Sequence, residues 1–372
     1  MMLSEFFSQL AFNMQHFVLI FIIYGLTRSN TAVSGMILSF MIPAVLFSVI
    51  TGVFVDRWNK KKVILYTHLI RATLLLPFLI PSLHLGLIYI LTFLIAVTTQ
   101  FFIPAESSII PSLVPKRLIV SANAVFAFSL YGSIIMGYVF SGPSLLWLGK
   151  TYTIVFLISL FLISAIFVTA IKFGAWKKEL IPEDLSPSNG YFSIVKEARE
   201  IFTFIRRVRK VMHALLMLTI AQAVIFMFAV LAPGYVTTIL EVPLESLSVI
   251  LIAPAGLGLG IGALMLGSLG KKFKNKWVSA MGFMVVGIIF TLLPIANRVD
   301  FFNIDLLHII IVLAFIIGFA ISLVLIPSNA TIQIETREAM RGRMYGLLSA
   351  LIGAVSFLPV ILAGGLADLL GV

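Results

Sequence analysis

Cysteine is absent from all 372 residues, and charge is scarce, with Asp, Glu, Lys and Arg making up only 11% of the chain. The first absence removes disulfides, thiolate nucleophiles and Cys-based metal sites. The second argues against a soluble domain, because average globular chains carry roughly 25% charged residues. Histidine is sparse too: His16, His68, His84, His213 and His308 are scattered without metal-ligand spacing. There is no G-x4-G-K-[ST] phosphate loop, so direct drive by ATP is not expected. Neither an enzyme nor a cofactor or metal site is expected.

What the chain has in abundance is apolar surface. Sixty per cent of its residues are apolar, mean hydropathy is +1.13, and the apolar residues fall in runs of about 20, the length that crosses a hydrocarbon core of about 30 Å as a helix. In lipid a helix satisfies its own backbone groups, whereas a β-barrel would read as short alternating segments. The sequence therefore predicts an all-α integral membrane protein. Eleven spans are expected, at 5–26, 33–55, 63–81, 85–103, 119–140, 151–171, 211–234, 247–269, 277–296, 306–326 and 344–366. The segment from Ser4 to Leu26 is too long for a cleavable signal and lacks a basic flank before it.

The net charge of +11 is explained by topology rather than by nucleic acid. With the N-terminus in the cytoplasm, 22 Lys and Arg residues fall in inner loops, and only Arg28, Lys150 and Arg298 fall outside. Arg71 lies within a span and is expected to snorkel toward the inner interface. Residues 172–210 form the one long break, with Pro182, Pro187 and an amphipathic stretch from Tyr191 onward, read as a linker helix on the membrane surface. Three parts follow: 1–171 with six spans, the linker 172–210, and 211–372 with five. The stretches after the fourth and tenth spans echo each other, both with Ile-Pro, then polar, then basic residues, as repeated half-bundles do. A six-plus-six plan would leave a twelfth span outside this chain.

The sharpest local pattern is GVFVDRWNKKK at 52–62, after the second span. Gly52, Asp56, Arg57, Lys60 and Lys61 resemble the G-x-x-x-D-R-x-G-R-R loop of the major facilitator superfamily, with Asn59 where that pattern usually has glycine. Its physical logic is that Gly52 permits close helix approach, while Asp56 at the membrane edge needs a donor or helix N-terminus to face. The resemblance implies two pseudo-symmetric six-helix halves and alternating access, with this loop as an inner latch. The matching loop of the second half, from Gly262 to Lys276, has no acid, so the latch would be asymmetric.

Within that superfamily the chain resembles the drug:H+ antiporter-3 group of macrolide and enterobactin exporters. The likeness rests on SQLAFNMQHFVLIFIIYGLTRSNTA, FFIPAESSIIPSLVP followed by SANAV, and MRGRMYG. It implies a proton gradient as energy source, an amphipathic or drug-like small molecule as substrate, and a monomer in the bacterial inner membrane surrounded by lipid. Two departures matter. Asn13 stands where related exporters often carry an acid, and the fifth span pairs Gly137 with Tyr138, its Gly142-Pro143 coming later. Uptake, or lipid or metabolite transport without protons, remains an alternative, as does a non-transporting membrane sensor or partner protein.

Polar groups inside a membrane are functional candidates by default. Gln9, Asn13 and His16 share one face of the first span, and His16 is a candidate proton carrier. With Tyr131 and Tyr138 of the fifth span they are the candidate cavity, substrate or proton residues. Gly132, Gly137, Gly142 and Pro143 are the expected packing and bending positions. Glu106 and Glu335 are expected to partner Lys116–Arg117 and Arg341–Arg343.

Overall fold

The computed structural model describes residues 1–81, 83–109, 119–171, 203–269, 275–296, 306–336 and 338–371. Every regular element among them is helical. The helices are α1 Met2–Thr27, α2 Asn30–Arg57, α3 Lys60–Leu75 and α4 Leu85–Ile109. The stretch Ile119–Thr169 holds a non-helical Gly149 (φ 71°), which divides it into α5 (119–148) and α6 (150–169). Then come α7 Arg209–Gly234, α8 Ala253–Leu269, α9 Asn275–Ala296, α10 Leu306–Glu335 and α11 Glu338–Leu370. Among the described residues nine helical stretches are long and apolar enough to cross a membrane, Gly132–Thr169 counting as one of them. The eleven expected spans thus find eleven helices. Several run past the expected ends, α10 and α11 most of all, because hydropathy marks the hydrocarbon boundary while a helix continues into the polar interface.

Local chemistry closes two of the helix ends. Asn59 takes extended backbone (φ −68°, ψ 104°) and its side chain accepts from the Lys62 N–H, so it caps α3. Its place in the loop therefore rests on capping rather than on left-handed backbone. Lys61 donates to the Thr169 and Ile171 carbonyls at 2.8 and 2.7 Å, meeting acceptors that the end of α6 leaves free. Prolines sit inside α2, α4, α5, α7, α10 and α11, which lipid tolerates where neighbours re-satisfy the freed carbonyl. Pro327 is such a case: Ser279 of α9 donates to the Leu323 carbonyl, four residues before it, at 3.4 Å.

The chain packs as two compact units. The first comprises Met1–Gln15, Ser39–Gly137 and Lys150–Arg207. Its apolar centre gathers Val55, Val63, Ile64, Phe102, Ala105, Ile109, Val168 and Ile171, so the end of α2, the start of α3 and the ends of α4 and α6 meet at one level. The second comprises His16–Leu38, Tyr138–Gly149 and Val208–Val372. In it α10 is the central helix, packed on α7, α8 and α9. Gly258 and Gly262 on α8 face Phe315, Phe319 and Ser322 on α10, and Gly318 faces Ala255, all so close that a Cβ would collide. This is small-residue packing at four-residue spacing, which lets helix backbones touch in lipid. Of the linker 172–210, residues 172–202 lie outside the described residues.

Candidate functional site

In the first unit α1 turns a polar edge inward. Ser4, Glu5, Ser8 and Asn13 are all buried, Glu5 at 0% exposure. Positions 5, 8 and 12 share one helical face, and α3 presents His68 and Arg71, three residues apart, to it. Ser8 Oγ lies 3.5 Å from His68 Nδ1 and accepts from Arg71 Nη1 at 3.4 Å.

Arg71 is 1% exposed, and three rings enclose it. Its guanidinium carbon lies 4.5 Å from the Phe102 ring centre, 5.4 Å from that of Phe12 and 5.7 Å from that of Phe161. The expected snorkelling does not occur, because the aromatic faces supply electron density that partly replaces water. Its counter-charge is Glu5, near enough to act on it electrostatically. Gln9 lies within side-chain hydrogen-bonding reach of the carboxylate, while Arg71 Nε and Nη2 have no hydrogen-bond partner among the described residues. His68 packs on Phe102 (5.2 Å between ring centres).

The cluster admits two charge states. With Glu5 ionised it is neutral overall. With Glu5 protonated it holds one uncompensated positive charge in a low-dielectric interior, which is costly. A group that takes and releases a proton there changes the energy of every arrangement that buries it.

The anticipated residues fall as follows. Asn13 is buried but donates Nδ2 to the Gln9 carbonyl of its own helix at 2.7 Å, so one amide hydrogen serves the backbone. Gln9 and Asn13 belong to the first unit and His16, half-buried, to the second. Tyr138 sets its ring edge-on to Phe17 at 4.7 Å. Gly137 lets α5 rest on α1, where a Cβ would stand 2.9 Å from the Leu10 carbonyl. Gly142 does the same against Ser248, to whose Oγ its N–H donates at 3.0 Å. At Gly132 a Cβ would meet nothing within 4 Å among the described residues. The backbone stays helical through Pro143 and breaks at Gly149 instead. The side chains of Gly52, Asp56, Arg57 and Tyr131 lie outside the described set, while Lys60 opens α3 half-buried. Glu335 pairs with Lys210 at 2.7 Å, α7 offering a cation from its own first turn. Glu106 is buried at 4% exposure; Lys116 and Arg117 lie outside the described residues.

Glu5, His68 and Arg71 escaped notice as a group. The available signal was an acid in the first turn of one apolar helix and a His–Arg pair three apart in another.

Such a bundle, with ionisable groups held inside it, is the build of a membrane transporter, and comparison with known proteins agrees. A match to the Major Facilitator Superfamily spans residues 1–359, and the chain belongs to that family. It is 33% identical over 82 residues to an uncharacterized MFS-type transporter, YkuC, of Bacillus subtilis (strain 168), a stretch covering 22% of this chain and 19% of that protein. In fold it resembles a bacterial homologue of the human lysosomal transporter Spinster in an inward-facing, unoccupied conformation, with TM-score 0.74, 14% identity, and coverage of 99% of this chain and 81% of that one. It also resembles the nucleoside transporter NupG, with TM-score 0.71, 14% identity and coverage of 99% and 90%. A POT family transporter in complex with 5-aminolevulinic acid is similar too, with TM-score 0.71, 13% identity and coverage of 100% and 90%. The protein is a multi-pass integral membrane protein of this transporter superfamily.

Proposed function

We propose that the protein exports an amphipathic or drug-like small molecule by alternating access, drawing on the proton gradient through the Glu5–Arg71 cluster. The observation that carries this reading is a carboxylate at 0% exposure beside an arginine at 1%, both inside apolar helices. Intramembrane ionisable groups of this kind mark proton relays and substrate paths. Protonation of Glu5 leaves Arg71 uncompensated, so the proton-loaded protein favours rearrangements that bring the cluster a counter-charge or water. The halves 1–171 and 211–372 move against each other, the linker 172–210 spans them, and the 52–62 loop acts as the inner latch. The excess of inner-loop Lys and Arg supports a cytoplasmic N-terminus in a bacterial inner membrane.

The test is accumulation of ethidium and of erythromycin in a pump-deficient bacterial host. Cells expressing the protein should hold less of at least one, an uncoupler should abolish the difference, and Glu5→Gln should behave like the empty vector. Unchanged accumulation of both probes sinks export of this class. Export that persists with the uncoupler sinks proton drive.

A second reading, metabolite transport without protons, is favoured by Asn13 and the Gly137-Tyr138 pair. Proteins of similar fold include nucleoside and peptide transporters. Uncoupler-insensitive uptake of radiolabelled uridine or a dipeptide would select it.

A further inference from the structure

The second unit gathers 16–38 and 138–149, from the first part of the chain, onto helices from the last part. Among the described residues, three groups of contacts join them. Tyr24 Oη and Thr237 Oγ1 lie 3.1 Å apart, and Ser141 Oγ and Ser248 Oγ are 2.9 Å apart. The third contact is the richest. Asp368, near the end of α11, faces the start of α2 and accepts from Ser29 Oγ at 2.6 Å, the Asn30 N–H at 2.8 Å, Asn30 Nδ2 at 3.1 Å and the Thr31 N–H at 3.0 Å. The first N–H groups of a helix have no partner within it, and the dipole there favours negative charge. An acid from a helix over 300 residues away in sequence thus caps α2. One turn further in, Gly364 leaves no room for a Cβ against Ser34 and Asn30, and Ser34 Oγ donates to the Val360 carbonyl at 2.8 Å.

We infer that Asp368 is a latch holding α11 on α2, and that breaking its bonds to Ser29, Asn30 and Thr31 is the step that opens this end of the transporter. The inference rests on the alternating-access reading above. A bundle that alternates must separate first-part helices from last-part helices at each end in turn. Tyr24–Thr237 and Ser141–Ser248 are hydroxyl pairs, whereas Asp368 contributes an ionised acceptor with four donors, and bonds to a charged group are the stronger kind. The acid also carries its own replacement solvent shell: it is exposed, so water can take over from α2 when the helices part. That keeps the latch reversible, where a buried acid would be trapped.

The cysteine-free chain gives a direct assay. Ser34 is 2% exposed, between α2 and α11, so the thiol of Ser34→Cys reports their separation in purified protein in nanodiscs, treated with a hydrophilic maleimide. Asp368→Asn in that background keeps the shape but removes the charge and two acceptor positions. It should raise the labelling rate roughly tenfold, the equivalent of losing one charge-assisted bond, while the protein still melts cooperatively. Ser29→Ala with Asn30→Ala strips two side-chain donors and should raise the rate by a smaller factor. It stands in for Asp368→Asn should that variant not fold. A rate within twofold of the parent in either folded variant overturns the latch. The labelling needs neither substrate nor proton gradient, so a protein that transports nothing in the accumulation test can still show the latch, and the reverse.

Discussion

Arg71→Gln and Glu5→Gln, made singly and together, ask whether the cluster is one unit. With an effective dielectric near 20, the attraction between two neighbouring buried charges is on the order of 3 kcal/mol. Arg71 also gains up to about 2 kcal/mol from desolvated rings, here Phe102 above all at 4.5 Å. Arg71→Gln therefore loses the ring contacts and strands Glu5 without a counter-charge. Breaking a buried pair by removing one partner typically costs about 3–5 kcal/mol. Glu5→Gln strands Arg71 in the same way, although Phe12, Phe102 and Phe161 soften that loss. The double variant strands neither, so its loss should fall short of the sum of the singles by about 2–3 kcal/mol. The assay is SDS-titrated unfolding of purified protein in mixed micelles, followed by tryptophan fluorescence. If the double variant loses the sum of the two singles to within about 0.5 kcal/mol, the charges do not act on each other and the cluster is two independent features.

Two further outcomes are expected. Gly318→Ala places a methyl group against the Ala255 backbone, which cannot rotate away, so it should destabilise by at least about 1–3 kcal/mol, whereas Gly260→Ala, with nothing within 4 Å among the described residues, should stabilise by about 0.5–1 kcal/mol; thermal melts that rank them the other way remove the α8–α10 packing argument. Asp56→Asn should cut transport of whichever accumulation probe the wild type exports while leaving membrane insertion intact, and full transport by that variant removes the inner-latch role of the 52–62 loop.

Span number and helical class could be read without coordinates because both depend on local quantities. Twenty apolar residues fix a crossing, whatever the neighbouring helices do. The sequence also marked Gly137 and Gly142, since glycines near a proline in an apolar helix have few other uses. It did not separate them from Gly132, because close approach is a property of the partner surface: Leu10 and Ser248 stand opposite two of the glycines, and no described residue stands opposite the third.

Arg71 shows most plainly where local reasoning stopped. Seen alone in α3, an arginine in an apolar run ought to reach for water. Only the packing of α1, α4 and α6 around it supplies Glu5 and three aromatic faces in water's place. Asp368 was equally silent, because its donors lie at the far end of the chain in sequence. Hydropathy and charge are sums over neighbours along the chain, and those determined that this protein is a helical membrane bundle. Which charges meet inside it depends on helix rotation and on contacts between residues far apart, and those only the tertiary structure decides.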